Sequence, residues 1–558
     1  MSIPPFLFYL AGALVLPLIP KGVLRSLFLL LVPVLALTQF VLLPFGEYAN
    51  AELYGYTLIL MRLDALAYAF SLIFSIAAFL AALFAWHIRD TTQQVATLVY
   101  SGAAIGAVQA GDLITLFCFW EATAFASVFL VWARRTTGAY FTGLRYLIIQ
   151  MLSGLLLLAG VILHINATGS NLFVQFPDMS LAAVLILLAF GIKCAFPLLH
   201  DWLQDAYPAS TATGTVVLSA FTTKLAVYAL ARGFPGLEVL VYIGALMTLF
   251  PIFYAVIEND LRRVLAFSLN NQLGFMVVGI GIGTPLALNG TVAHAFCHIL
   301  YKALLFMSMG AVLLRAGTTK GSELGGLYKS MPYTMIFCVI GAASISAFPL
   351  FSGFISKSLI LSATDKQGYT LVWLALLFAS AGVFHHSGIK IPYFAFFAHD
   401  SGIRCREAPW NMLLAMGLTA LLCVGIGIFP QPLYNILPYD IPYFPYTADH
   451  VVFQLQLLLF SALAFTVLMR TGIYPPELRS VNLSSDIVYR KWLPKFLLWT
   501  LGGIEQFIVS ITTPLRRESW QAFRNIGIVL GNDRGSGVML LWVGVLLVLL
   551  LTLTYVAR

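Results

Sequence analysis

Residues 291–314 read TVAHAFCHILYKALLFMSMGAVLL. The run is long enough to cross the roughly 30 Å of a bilayer's hydrocarbon as one helix, yet it contains His294, His298 and Lys302. Spaced i, i+4 and i+8, the three drift by only about 40° per step around a helix, about 80° in all, and form one stripe. Four more ionisable side chains sit inside long apolar runs: Glu121, Lys193, Lys224 and Lys357. A charge at the bilayer centre costs roughly 2.5–3.5 kcal/mol on insertion scales, so these groups are tolerable only if they face one another, or water, inside a helix bundle. The stretch predicts the interior of a polytopic membrane protein, with an ion or proton pathway as its default function.

Composition agrees. Of 558 residues, 60% are hydrophobic and 10% charged, against about 25% charged in soluble domains. The length allows roughly 14–16 spans and leaves no room for a separate soluble domain. The net charge of +8 could suggest nucleic acid, but the basic residues lie in short loops between apolar spans, so topology explains them and no nucleic-acid partner is expected. The six cysteines, Cys118, Cys194, Cys297, Cys338, Cys405 and Cys423, form no CxxC pair and no metal-ligand spacing. No Lys or Arg precedes Lys21 and no small-residue cleavage site follows the first apolar run, so that span is expected to be retained.

Sixteen apolar segments can be marked: 4–20, 24–44, 63–86, 95–110, 113–132, 146–165, 181–199, 209–231, 237–257, 266–283, 291–314, 332–362, 369–398, 411–432, 453–469 and 538–556. If they alternate sides, 22 of the 31 Lys and Arg fall on one side, which the positive-inside rule makes cytoplasmic, with both termini outside. Residues 471–537 mix prolines and basic residues with short apolar stretches. They read as an amphipathic interfacial segment meeting anionic lipid, or as a solvated linker with one weak helix.

Two spans carry similar interruptions, Ala195-Phe196-Pro197-Leu198 and, 152 residues later, Ala347-Phe348-Pro349-Leu350. Proline within a span frees a carbonyl and breaks the helix, which is tolerated where protein or water satisfies the backbone. Paired interrupted helices in two halves of a transporter point to the transport site. Five spans separate them, so the second unit would be inverted relative to the first.

Histidine suits a proton relay because it titrates near neutral pH, and a desolvated lysine can approach that range. The His294/His298 pair could instead ligate zinc, but an ammonium follows it, and a metal site wants another anionic or neutral ligand. For Glu121 the candidate partners are Lys193 and Lys224, with a fixed interhelical ion pair as the structural alternative; for Lys224 the alternative is snorkelling to the interface. His200, Asp201 and Asp205 follow the first break and either capture protons or cap the next helix. His385, His386 and Lys390 lie in the thirteenth span, where snorkelling of Lys390 competes with a transport role.

With these residues in place, the chain resembles the proton-antiporter-like membrane subunits shared by Mrp-type multisubunit cation/proton antiporters and respiratory complex I. The matching motifs are Trp120-Glu121, the broken helix with Lys193 followed by His200-Asp201-Trp202-Leu203 and Ala206-Tyr207-Pro208, Lys224, the His294/His298/Lys302 stripe, and Ser352-Gly353-Phe354-Ile355-Ser356-Lys357. They cover about residues 60–430 and resemble the Mrp D-type subunit most, while the C-terminal region departs from it. The resemblance implies an all-α membrane protein of about 14 core helices, with two inverted five-helix repeats (spans 4–8 and 9–13) and broken helices, plus about two C-terminal spans. The boundaries expected are 1–94 for the first three helices, 95–232 and 233–400 for the repeats, 401–470 for further spans, and 471–558 for the interfacial segment and last span. It also implies roles: Glu121 as the carboxylate paired with Lys193, Lys224 as the bridge to the second repeat, His294, His298 and Lys302 as the central relay, and Lys357 as the terminal proton site, a position that is Lys or Glu in complex I relatives.

The expected function is a proton-translocating subunit of a multisubunit Na+/H+ antiporter in a bacterial inner membrane, with other membrane subunits, protons and monovalent cations as partners. The alternatives are a pump subunit of a complex I or membrane-hydrogenase assembly, a subunit of an inorganic-carbon uptake complex, and a stand-alone carrier. The sequence has no iron–sulfur cysteine motif, nucleotide loop or haem CxxCH, so no cofactor is expected and any redox step would belong to a partner.

Overall fold

The computed structural model describes residues 3–53 and 55–474, together with positions 487, 491, 492, 495, 496, 498, 499 and 546. The expected interfacial segment and the span at 538–556 otherwise lie outside the described residues. One compact unit takes in 1–165 and 169–480, and a second groups 166–168 with 481–558.

The chain opens with α1 (Pro5–Val15) and α2 (Val23–Val41), then a β-hairpin of β1 (Gly46–Leu53) and β2 (Tyr56–Leu63). Helices follow in order: α3 (Ala65–Phe84), α4 (Thr91–Gln109), α5 (Leu113–Trp132), α6 (Thr137–Thr168), α7 (Leu181–Lys193), α8 (Asp201–Ala209), α9 (Ala212–Ala220) and α10 (Thr222–Gly233). Next come α11 (Val239–Ile257), α12 (Leu261–Ile282), α13 (Pro285–Ala316), α14 (Pro332–Ile345), α15 (Ser352–Lys366) and α16 (Thr370–Val383). After α16 the chain continues as π-helix over Phe384–Lys390 and Tyr393–Phe397, and ends its described part with α17 (Trp410–Ile428), α18 (Gln431–Tyr434) and α19 (Ala448–Thr471).

Among the described residues, 11 helical stretches are long and apolar enough to cross a membrane. The protein is therefore an integral membrane protein. The segment at 332–362 divides at its interruption into two helices, α14 and α15. At 13 residues, α7 is only about 20 Å long and cannot cross alone; α14, with 14, is in the same position.

The hairpin is a correction, because the sequence reading leaves residues 46–62 as a connection between the second and third spans. Ile59, Met61 and Leu63 are buried on one face of β2, a period-2 signal concealed within a continuous apolar run. Asp112 fixes the hairpin to α5: its carboxylate accepts from the Ile59 amide at 2.7 Å and from the amides of Ile114 and Thr115 in the helix's first turn.

Two ends of the bundle are defined by loop contacts. At one, Arg25 donates to Thr91, Arg89 to Ser26, Arg135 pairs with Asp90, and both Arg134 and Arg262 donate to the Pro208 carbonyl. These are the loops whose basic residues the sequence tally grouped on one side. At the other, Arg232 pairs with Asp64, Arg62 donates to the Phe173 carbonyl, Gln175 to that of Pro235, and Asn289 to that of Tyr439.

Candidate proton-translocation site

Both interruptions close the preceding helix in the same way. The Phe196 amide donates to the Gly191 carbonyl at 3.0 Å and the Ala195 amide to Ile192 at 3.1 Å; the Phe348 amide donates to Ala343 at 3.0 Å and the Ala347 amide to Ser344 at 3.1 Å. This 6→1 and 5→2 pairing is a Schellman end, with alanine where glycine is usual: φ is +60° at Ala195 and +57° at Ala347. Leu198 and Leu350, three residues on, also have positive φ, at +69° and +73°. Pro197 and Pro349 have no N–H, so the carbonyls of Lys193 and Ile345 four residues earlier lose their helical donors.

The buried lysines are held by such backbone oxygens. Lys357 Nζ donates to the freed Ile345 carbonyl at 2.8 Å. Lys224 Nζ donates to the Ser219 carbonyl at 2.7 Å, at the end of α9 where Phe221 interrupts the helix. Lys193 Nζ donates to the Trp120 carbonyl at 2.6 Å and to Thr123 Oγ1 at 2.8 Å, and lies 4.3 Å from the centre of the Trp120 ring. Lys302 Nζ donates to the Leu265 carbonyl at 2.9 Å. The Ser219 and Ile345 carbonyls lie at helix C-termini, which carry partial negative charge, whereas those of Trp120 and Leu265 lie within α5 and α12.

Neither Lys193 nor Lys224 reaches the Glu121 carboxylate at ion-pair distance, although Lys193 is near enough for the two charges to interact, and Glu121 Oε1 is buried without a hydrogen-bond partner. Consecutive residues on a helix point about 100° apart. Trp120 turns fully inward, and half-buried Glu121 faces α6 instead, where a Cβ on Gly154 would overlap its carboxylate. Lys193 therefore binds the main chain one residue before Glu121.

The stripe on α13 is fully buried: His294, His298 and Lys302 are each 0% exposed. His294 Nδ1 lies 3.0 Å from Ser356 Oγ, the neighbour of Lys357, and its Nε2 lies 3.4 Å from the Tyr301 hydroxyl, which donates to Gln272 Oε1 at 3.1 Å. Both ring nitrogens of His298 are buried without a partner; the ring stands 6.1 Å from that of His294 and 5.3 Å from that of Tyr301. Unsatisfied buried polar groups are rare and costly, and an imidazole beside His294 and Tyr301 is suited to accept a proton and pass it on. Tyr301 belongs to the same stripe at i+7, but as an uncharged aromatic it does not stand out in an apolar run, and Ser356 and Thr123 carry no sequence signal. The helices bearing these groups pack in sequence: α5 on α7 through Lys193, then α7 on α10, α10 on α9, α9 on α13, and α13 on α15.

The remaining candidates have structural partners. Asp205 pairs with Arg145 at 2.7 Å, and buried Asp201 starts α8 with His200 Nε2 at 3.5 Å. Lys390 donates to the carbonyls of Val256 and Glu258 at 2.6 and 2.7 Å and so closes the end of α11. His386 Nδ1 lies 2.9 Å from Ser387 Oγ, which donates to Ser268. Among the described residues, no three His, Cys, Asp or Glu side chains converge as metal ligands would.

A family model described as NADH:quinone oxidoreductase/Mrp antiporter, TM, matches residues 110–399, from the start of α5 through both breaks to the second π-helical stretch. The chain belongs to this family. Within it, the D-type subunit of the Na(+)/H(+) antiporter of Alkalihalophilus pseudofirmus is 31% identical over 352 residues, which cover 59% of this chain and 71% of that one. The A-type subunit from the same organism is 30% identical over 396 residues, covering 62% of this chain and 48% of the relative. For the A1-type Na(+)/H(+) antiporter subunit of Staphylococcus aureus the identity is 30% over 428 residues, or 67% of this chain and 53% of the relative. The chain thus spans about half the length of the A-type relatives.

The fold recurs in the Mrp complex from Dietzia sp., with a TM-score of 0.78 at 22% identity, covering 96% of this chain and 62% of that one. It recurs in an archaeal membrane-bound sulfane sulfur reductase at 0.74 and 22% identity (94% and 98% covered), and in respiratory complex I from Thermus thermophilus at 0.68 and 20% (78% and 100% covered).

Proposed function

We propose that this chain is a proton-translocating membrane subunit of a multisubunit Na+/H+ antiporter, working in a bacterial inner membrane with its basic loops in the cytoplasm and both termini outside. The observation that carries the reading is the row of buried lysines and histidines between two matched helix breaks, each lysine held by backbone oxygens and none by a carboxylate at ion-pair distance. A buried ammonium without a counter-ion costs several kcal/mol. A proton arriving at Lys193 or Lys357 therefore raises the cost of protonating its neighbours, and relocation along the row relieves it. Glu121, one residue from the Lys193 contact, supplies the compensating charge when it rotates.

The relatives named as D- and A-type antiporter subunits support the antiporter reading over a redox pump, and support other membrane subunits as partners. In that assembly the monovalent cation moves in exchange for protons, and the basic segment after α19 meets anionic lipid. Vesicles containing the assembled complex, assayed for Na+- and K+-driven proton movement, test the proposal. Glu121→Ala or Lys193→Ala is expected to abolish exchange while leaving assembly intact; undiminished exchange in either contradicts it. Co-purification with redox subunits and no cation dependence would favour the pump reading.

A further inference from the structure

Helices α5 and α6 share one framework with α12 and α13. Both α6 and α13 run for 32 residues from a threonine cap, Thr136 or Thr284, to a glycine in the left-handed region, Gly169 or Gly317. The flanking turns close alike. The Leu113 amide donates to the Asn171 carbonyl at 2.8 Å and the Phe173 amide to Gly111 at 3.0 Å; 148 residues on in each case, Leu261 donates to Thr319 and Gly321 to Asn259, both at 2.9 Å. The same offset matches Tyr146 to His294, Gln150 to His298, Ser153 to Tyr301 and Gly154 to Lys302. The stripe on α13 therefore has a counterpart on α6. Tyr146 shares a hydrogen bond with Ser127 at 2.8 Å, as His294 does with Ser356, and Ser153 accepts from Trp120 Nε1 at 3.0 Å. Gln150 is 0% exposed with Oε1 and Nε2 both unpartnered, as are both ring nitrogens of His298. Gly154, in the place of Lys302, leaves the space that the Glu121 carboxylate fills.

Leaving a buried polar group unpaired costs roughly 1–3 kcal/mol, and such groups are commonly satisfied by ordered water. Gly154 follows Gln150 by one helical turn, and positions so related are about 5–6 Å apart at Cβ, which sets the Gln150 amide one turn from the carboxylate seated on Gly154. Glu121 Oε1 is itself buried without a partner. A carboxylate only accepts when ionised, while an amide both donates and accepts, so one water can satisfy the two together. We infer that Gln150 holds an ordered water against Glu121, at the place His298 takes on α13, and is thereby a positioning residue for proton exchange at that carboxylate. The inference deepens the proposed function and rests on it for the role of Glu121. The O–H bond of protonated Glu121 breaks as an O–H bond forms on the water, and the reverse step reloads the carboxylate. Through both steps the amide orients the water and gives up no proton of its own. The two stripes then differ in kind: α13 carries groups that take the proton, and α6 carries one that holds the water that takes it.

The test uses the assembled complex. A structure at a resolution that shows water is expected to place one within hydrogen-bond distance of both the Gln150 amide and the Glu121 carboxylate; a site without it overturns the inference whatever the transport rates. In vesicles, Gln150→Leu keeps the volume and removes the amide, and is expected to slow proton movement about 10- to 100-fold with assembly and the unfolding midpoint preserved. Gln150→His, which again donates and accepts, is expected to retain most of the rate. Undiminished movement in Gln150→Leu, or equal loss in the Leu and His variants, overturns the inference, the latter marking a packing requirement. Lys193→Ala measured beside them separates the two proposals. Undiminished exchange there contradicts the proposed function, whereas exchange lost in Lys193→Ala and kept in Gln150→Leu leaves that function standing and removes Gln150 from it.

Discussion

The two helix breaks share a backbone and differ in chemistry. Each ends in a Schellman turn with alanine in the left-handed region, followed by proline and a second left-handed residue, leucine. At the first, the lysine is the last residue of the incoming helix and reaches sideways to α5. At the second, the equivalent position is Ile345, and the lysine sits in the outgoing helix, donating back to the Ile345 carbonyl and lining a cavity. Counted from the alanine, the position of Lys357 corresponds to Asp205 in the first break, which is held by Arg145 near the basic end. The repeated backbone thus supplies freed carbonyls, and the placement of lysine relative to the break decides where each site opens.

Removing the lysines breaks the comparison most severely. Lys193→Ala and Lys357→Leu are each expected to reduce proton movement in vesicles to background, whereas Lys357→Glu retains part of it because a titratable group remains at the cavity floor. Equal activity of the Leu and Glu variants would make Lys357 structural. Moving the lysine sharpens the point. Ile345→Lys combined with Lys357→Leu places the second lysine in the first break's register, away from the cavity that Lys357 lines, and is expected not to restore transport; restoration would show that register does not matter.

The backbone itself gives a smaller, symmetric effect. Alanine in the left-handed region is strained, so Ala195→Gly and Ala347→Gly should each stabilise the protein by up to about 1 kcal/mol, read as raised thermal unfolding midpoints of similar size. Opposite signs at the two breaks would refute their equivalence.

The smallest effect lies outside the breaks, at His87 between α3 and α4. Its proton affinity is held below the ordinary histidine value by burial, then by Arg89 and Arg315, and its Nδ1 lies 3.1 Å from Asn411 Nδ2. The folded state therefore favours the neutral ring. Its contribution is complete above the unfolded value of about 6.5 and is lost as pH falls below it. His87→Gln should flatten the dependence of the unfolding midpoint between about pH 8 and 5; an unaltered slope would assign that dependence elsewhere.

Much of this arrangement was legible in the sequence because membranes make polar residues conspicuous. The charges within apolar runs, the stripe at i, i+4 and i+8, and the two Ala-Phe-Pro-Leu breaks each have a direct energetic meaning in hydrocarbon. The hairpin at 46–63 was hidden because β2 is apolar throughout. The direction of Glu121 was hidden for a different reason: spacing along α5 says nothing of which neighbour leaves a notch, and Gly154 decides that from another helix. The seating of α19 against α16 and the first π-helical stretch is likewise a long-range contact with no local signature.

The central claim, that protons move along the buried row, is tested most directly at His298, whose ring nitrogens bond to nothing in the described structure and whose loss therefore removes no structural hydrogen bond. Proton movement by the assembled complex carrying His298→Phe is the measurement. A relay predicts a fall of about 100-fold or more with normal assembly and thermal stability, and unchanged proton movement would contradict the account.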